Sequence, residues 1–438
     1  MLLHPVSLSS RRADRFAMPA RDPLSRRAHW SVGQPISYLM HMALAKPQLI
    51  SLAAGFVDQE TLPVEATRAA IEALLSDPAA SRAALQYGTT HGLASLREAI
   101  LDRLLRSDGQ RGVIPALDQV VLTAGSNELL HVIGDTILDP GDIVLTAAPS
   151  YFVFLGMLGN LGARAIGVAS DEDGLVPEAL DETLRRLKSS GELPRVKALY
   201  VTTYFDNPTS ISVAHKRRPQ IIDIVKRHAT AGSIYILEDT AYRELRYFGE
   251  DYPSLRAYDE NGDTVVCTGT FSKSFSPGVR VGWGVLPQTL IEPVLAAKGN
   301  IDFGSPNFNQ HVMRNVFELG LYEPHVEGLR ANYRVKLGAM LDAADKHLAP
   351  IRGVRYRRPK GGLYVWLELP EHIDSGSDGE LFRRALDAGV IYVPGRYCYP
   401  SEGHKPQDNT IRLSFGVQST DNIQRGVAAL AEAIRGVV

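Results

Sequence analysis

From Pro115 to Thr270 the chain alternates short apolar runs with amphipathic stretches. The runs are QVVLTA, DIVLTA, RAIGVA, VKALYVTTY, SIYILE and TVVCTGT, rich in Val, Ile, Leu and Thr and often nearly continuous. Runs of this kind suit strands buried on both faces, as in a parallel sheet covered by helices. The stretches between them, such as Glu128 to Leu138 and Arg218 to His228, read as helices. Near Val326 the period changes: Val326, Leu329, Tyr333, Leu337, Met340, Leu341 and Ala344 fall three or four apart, which predicts a long amphipathic helix. The strand-like GGLYVWLELP and TIRLSFG follow it, and Gly376 and Gly403 fall in segments that read as surface loops. The expected organisation is an N-terminal extension over 1–28, read as flexible, an arm over 29–60, a large α/β domain over 61–320 and a smaller α+β domain over 321–438. A chain of 438 residues exceeds what one hydrophobic core usually supports.

Composition narrows the function. Hydrophobic content is 45%, charged content 22% and net charge −2, a balance that gives no reason to expect nucleic acid or an anionic membrane as partner. No apolar run is long enough to span a bilayer. The two cysteines, Cys267 and Cys398, belong to no metal-ligand spacing, so no metal is expected, and a reduced, cytoplasmic compartment is. The first 28 residues are rich in Arg and Ser, but their apolar residues precede the basic ones, the reverse of a signal peptide.

In open α/β sheets, ligands bind beyond the carboxyl ends of the strands. GSNE follows the first run, DNPTS the fourth, DTAY the fifth and TFSKS the sixth. The turn at Gly125, Ser126 and Asn127 has the form of an anion site at a helix N-terminus, although taken by itself Ser126 reads more readily as an N-cap. Lys273 and Arg280 lie seven residues apart in TFSKSFSPGVRVGW, flanked by apolar sequence. Two like charges beside a core call for an anion between them. A lysine held against an apolar sheet edge becomes an amine nucleophile toward a carbonyl. Pyridoxal phosphate is the cofactor that needs both an aldehyde-binding lysine and a phosphate cradle. Asp239, at the end of SIYILE, suits either a partner for the pyridine nitrogen or a helix cap.

ALQYGTTHG, DNPTS, DTAY, TFSKSFSPGVRVGW and TIRLSFG, in this order, resemble the class I/II, fold-type I aminotransferases, in particular the branch with kynurenine, 2-aminoadipate and aromatic aminotransferases. The likeness runs from about Ser51 to the C-terminus. It implies a mostly parallel seven-stranded sheet between helices, plus a smaller C-terminal domain. It implies that Lys273 is the Schiff-base lysine, that Asp239 partners the pyridine nitrogen and that Asn207 and Tyr242 donate to the ring's phenolic oxygen. Tyr151 would stack on the ring. Ser126, Asn127, Thr270, Ser272 and Arg280 would form the phosphate shell. Tyr87 would reach the partner subunit's phosphate, which implies a homodimer with shared sites. Arg412 would clamp the substrate α-carboxylate, with Asn207 beside it, and Gly55 would lie on the arm that passes over the substrate. Ser210 stands where the family usually has the glycine of NPTG, Thr270 where serine is frequent, and Asn127 where some members carry glutamine.

The implied activity is transfer of an amino group from an α-amino acid to a 2-oxo acid. The apolar groups Tyr87, Phe56 and Tyr151 point to aromatic or long aliphatic donors, the resemblance admits 2-aminoadipate-like ones, and 2-oxoglutarate is the expected acceptor. A lyase or cyclase on the same scaffold is the alternative. A regulator that only senses the cofactor is a third reading, disfavoured by the short N-terminal segment and the absence of basic charge.

Overall fold

The computed structural model describes residues 23–31, 39, 42, 46, 48–229 and 234–438. All six apolar runs are strands. After a short β1 (Ile50–Ser51) in the arm come β2 (Val120–Thr123), β3 (Ile143–Ala148), β4 (Arg164–Asp171), β5 (Gly174–Leu175), β6 (Val196–Thr202), β7 (Tyr235–Asp239), β8 (Val265–Thr270) and β9 (Gly282–Val285). The strands are apolar throughout because both faces are covered. Leu145, Leu199 and Ile236 pack on one side with the helices Pro177–Ser189 and Arg217–His228. Val144, Tyr200 and Leu237 pack on the other with Ser126–Ile137, Phe152–Asn160 and Gln288–Ile301. This is the alternation that a pleated strand imposes.

The smaller domain holds β10 (Arg355–Tyr356), β11 (Tyr364–Glu368), β12 (Val390–Ile391), β13 (Val393–Pro394), β14 (Glu402–Gly403) and β15 (Thr410–Ser414), with the helices Tyr322–His347, Glu380–Asp387 and Thr420–Arg435. The central sheet runs β14-β4-β3-β6-β7-β8-β9-β2, with β5 beside β4. Strands β2, β3, β4, β6, β7 and β8 are the six apolar runs; β9 is a further strand, antiparallel to both its neighbours β2 and β8, as β5 is to β4. Gly403 is not in a loop, as its sequence context suggested: Glu402 and Gly403 pair in parallel with Ile166 and Gly167, adding a strand from the C-terminal region to the sheet edge.

The small-domain sheet is β10-β11-β15-β13, antiparallel throughout. The arm is fastened to this domain at two points. Its β1 pairs in parallel with β12. Further on, Asp58 forms a buried ion pair with Lys336 (2.7 Å) and its backbone N–H donates to the Tyr333 hydroxyl (2.9 Å). Residues 1–22 lie outside the described residues, but the end of the extension read as flexible is a helix, Arg26–Trp30. Arg27 pairs there with Asp135 at 3.0 Å, and the Trp30 ring fills the space a side chain at Gly162 would need.

Candidate active site

Four parallel strands, β2, β6, β7 and β8, deliver their carboxyl ends to one edge, and the antiparallel β9 starts at that same edge. Arg280, two residues before β9, is thereby brought to the turn that follows β2. The approach is close because two side chains are missing. Gly125 has φ 93°, and a Cβ on it would come within 2.6 Å of Arg280 Nη2. A Cβ on Gly282 would lie 2.4 Å from the Ser126 nitrogen. Arg280 itself has φ 48°, a left-handed conformation that a non-glycine residue keeps only when its surroundings enforce it. Its partners are neutral oxygens: Ala124 O at 2.9 Å, Pro277 O at 3.2 Å and Ser272 Oγ at 3.4 Å. Thr270 Oγ1 donates to Ser272 Oγ (2.9 Å) and accepts from the Ser272 N–H (3.1 Å). Ser126 opens a helix whose first turn begins at Gly125, the residue Arg280 approaches. Hydroxyls, a guanidinium and a helix N-terminus form a cradle for a compact oxyanion.

Lys273 reaches across from the end of β8 to the arm, where Nζ donates to Gly55 O at 2.9 Å. Removal from water, then the positive charges of Arg412 and Arg280, push its pKa down to about 8. An amine near neutrality is a nucleophile and a base. Asp239 closes β7, almost fully buried. It accepts from Tyr200 Oη (2.9 Å) and from the Ala241 N–H (3.0 Å). Burial raises its pKa, and those two hydrogen bonds hold it down only in part.

Arg412 lies in β15, paired with Trp366 of β11, and is 1% exposed. Nη1 donates to Asn207 Oδ1 (2.8 Å) and Nη2 to Ala53 O (2.7 Å), while Nε is buried with no partner among the described residues. The guanidinium is stacked 4.4 Å from the Tyr364 ring and 5.3 Å from that of Phe152. Tyr242 Oη lies 3.2 Å from Tyr364 Oη, which also accepts from Asn207 Nδ2 at 3.4 Å. Tyr151 is half-buried beside Asn127, which hydrogen-bonds it; burial pushes its phenol up to about 12.

The structure therefore gathers Lys273, Asp239, Asn207, Tyr242, Thr270, Ser272, Arg280, Ser126, Asn127, Tyr151, Gly55 and Arg412 at one edge. Tyr87 stands apart, 79% exposed, with its ring edge-on to Phe303 at 5.6 Å. Phe56 is 50% exposed on the arm beside Gly55. Sequence reasoning missed Tyr364 and Tyr200. Each was a tyrosine inside a strand-like run, with nothing local to mark it.

This donor set fits pyridoxal phosphate. Lys273, Arg280 and Arg412 converge with only neutral partners among the described residues, so two anions are called for, one at the cradle and one at the Nε of Arg412. A buried, partly unsatisfied carboxylate at Asp239 suits a protonated ring nitrogen.

The comparisons agree. Residues 47–430 match the family model of the class I and II aminotransferases, and the chain belongs to that family. It is a pyridoxal-phosphate-dependent aminotransferase of fold type I. It is 31% identical to aromatic-amino-acid aminotransferase 1 of Thermococcus litoralis over 98% of this chain and 99% of that one. It is 34% identical to the 2-aminoadipate transaminase of Thermus thermophilus, over 90% and 92% respectively. The crystal structure of the kynurenine aminotransferase of Pyrococcus horikoshii superposes with a TM-score of 0.86 at 32% identity, over 95% of this chain and 97% of that one. These relatives favour amino-group transfer over the lyase or cyclase alternative.

Proposed function

We propose that the enzyme transfers the amino group of an aromatic, long aliphatic or 2-aminoadipate-like α-amino acid to a 2-oxo acid such as 2-oxoglutarate. The convergence of Lys273, Arg280 and Arg412 on neutral partners carries this reading. Pyridoxal phosphate, when bound, supplies a ring that accepts the electron pair left at the substrate α-carbon. Arg280, Thr270, Ser272, Ser126 and Asn127 hold the phosphate, and Tyr151 lies against the ring. Asp239 keeps the ring nitrogen protonated, and Asn207 and Tyr242 donate to its phenolic oxygen. Arg412 binds the substrate α-carboxylate through its fork of donors. Lys273, once free, takes the α-proton and redelivers it. The backbone of Gly55 forms the roof of the substrate pocket.

The side-chain preference rests on Phe56 and Tyr151, which favour apolar groups, and on the relatives named above. We further propose a homodimer in which Tyr87 reaches the phosphate of the other subunit. A panel of aromatic, branched, basic and acidic amino acids, followed by the spectral change of the bound cofactor and by kcat/KM, tests the substrate reading. Aspartate as the best donor by tenfold would overturn the apolar-pocket part.

A further inference from the structure

We propose that Tyr364 is a positioning residue: its hydroxyl donates to Tyr242 Oη and so turns the Tyr242 proton toward the cofactor's phenolic oxygen. The direction of each bond follows from which groups can only donate. Arg412 has no acceptor, so the Asn207 atom 2.8 Å from its Nη1 is the carbonyl oxygen. The other end of that amide is therefore the NH2 group, and Tyr364 Oη accepts from it at 3.4 Å. Tyr364 then has its own proton to give, and Tyr242 Oη, 3.2 Å away, is the partner the structure offers. A hydroxyl that accepts from Tyr364 directs its own proton elsewhere, here into the pocket. Asn207 keeps a second N–H for the same target.

Tyr364 is held in place from several sides. It is 1% exposed, and its ring lies under the Arg412 guanidinium at 4.4 Å. Its hydroxyl touches the arm so closely that a Cβ on Gly55 would come within 2.6 Å of it. In β11 it is paired with Ser414, and the neighbouring Phe415 N–H bonds to Leu363 O, so the Tyr364 N–H points away from β15. It donates instead to Ser210 Oγ at 3.1 Å. The other ionisable groups facing the Tyr242–Tyr364 pair are Arg412, Tyr151 and Tyr333.

A donor to the phenolic oxygen stabilises the cofactor best when that oxygen's charge is not shared with a neighbouring proton, so it lowers the pH at which the lysine-bound cofactor deprotonates. A hydroxyl that itself accepts a hydrogen bond is a stronger donor. Removing the Tyr364 hydroxyl should then raise that pH.

The inference rests on the role given above to Tyr242, and the experiment separates the two. In the holoenzyme, the pH midpoint of the lysine-bound cofactor's absorbance is measured for wild type, Tyr364→Phe, Tyr242→Phe and the double variant. Tyr364→Phe should raise the midpoint by about half to one pH unit, the effect of one modest hydrogen bond. In the Tyr242→Phe background the same change should add nothing. Difluorotyrosine at position 364, a stronger donor of unchanged shape, should move the midpoint down and gives a reading even if the Phe variant folds poorly. A midpoint that moves in Tyr242→Phe but in neither position-364 variant would overturn the role of Tyr364 alone. An equal shift in both backgrounds would show that Tyr364 does not act through Tyr242. A midpoint unmoved in Tyr242→Phe would overturn the role of Tyr242, and the inference with it.

Discussion

Arg412 Nη1 and Asn207 Oδ1 lie 2.8 Å apart, although 205 residues separate them in sequence. One belongs to the small domain and the other to the loop after β6, so the bond holds the arginine proposed as the α-carboxylate clamp against the large domain. The fork leaves Nε buried and without a partner among the described residues, which costs stability unless an anion completes it. Arg412→Lys keeps the charge but cannot reach Asn207, Ala53 and a carboxylate together. Because that contact exists before and during the reaction, KM should rise more than kcat falls. Steady-state kinetics check this, and a fall confined to kcat would contradict it.

Asp239 is the second test. Its burial raises its pKa, and Tyr200 and Ala241 hold the carboxylate in a fixed orientation. Asp239→Asn keeps the shape and removes the charge. The cofactor should still bind, as its absorbance will show, while turnover falls roughly a hundredfold or more for loss of a preorganised charge. Near-wild-type turnover would rule out the ring-nitrogen role.

The amine of Lys273 gives a pH test on the cofactor-free protein. Its pKa is pushed down to about 8 from the ordinary 10.5, first by burial and then by Arg412 and Arg280. Acetylation by acetic anhydride, followed peptide by peptide in a mass spectrometer, should therefore reach half its limiting rate at Lys273 near pH 8. Removing a neighbouring positive charge makes the ammonium easier to form. Arg412→Gln should accordingly move the midpoint up, toward 10.5. A midpoint already at the ordinary lysine value would remove the argument that the site neutralises this amine. Borohydride reduction of the holoenzyme should fix the cofactor to the same peptide.

Much of this was legible in the chain itself. Buried strands announce themselves by unbroken apolar runs, and the residues that follow them land at one edge whatever their separation. Lys273, Asp239, Asn207 and Arg280 could be found in this way, as residues of short motifs. Tyr364 and Tyr200 could not. Their importance lies in which hydroxyl meets which acceptor across the sheet and the domain boundary, and no local pattern encodes that. β9 was missed because GWGV is short and glycine-rich, and its antiparallel direction is what brings Arg280 to the site.

Tyr87 and Phe303 are large rings left 79% and 63% exposed, edge to face with centroids 5.6 Å apart. Apolar surface of this kind on an enzyme of this family is expected to be covered by a second copy. Sedimentation velocity should give a dimer, and Tyr87→Ala should weaken cofactor retention, measured as a raised Kd. A fully active monomer would overturn both the assembly and the shared site.

Ser210 separates two opposing effects. It has φ 54° where glycine would sit without strain, yet its Oγ accepts the buried Tyr364 N–H at 3.1 Å. That N–H faces away from the neighbouring strand, so the hydroxyl is the acceptor the structure provides for it. Ser210→Ala keeps the strained backbone and loses the acceptor, which should destabilise by about 1–3 kcal/mol. Ser210→Gly loses the same acceptor but relieves a left-handed conformation that costs a residue with a side chain about 1–2 kcal/mol. Glycine should thus be the milder substitution by about 1 kcal/mol, the reverse of the usual order within regular structure. Denaturant unfolding of both variants against wild type decides it. If glycine proves as damaging as alanine, the left-handed backbone at 210 carries no strain. If neither is destabilised, the bond to Tyr364 contributes nothing to the fold.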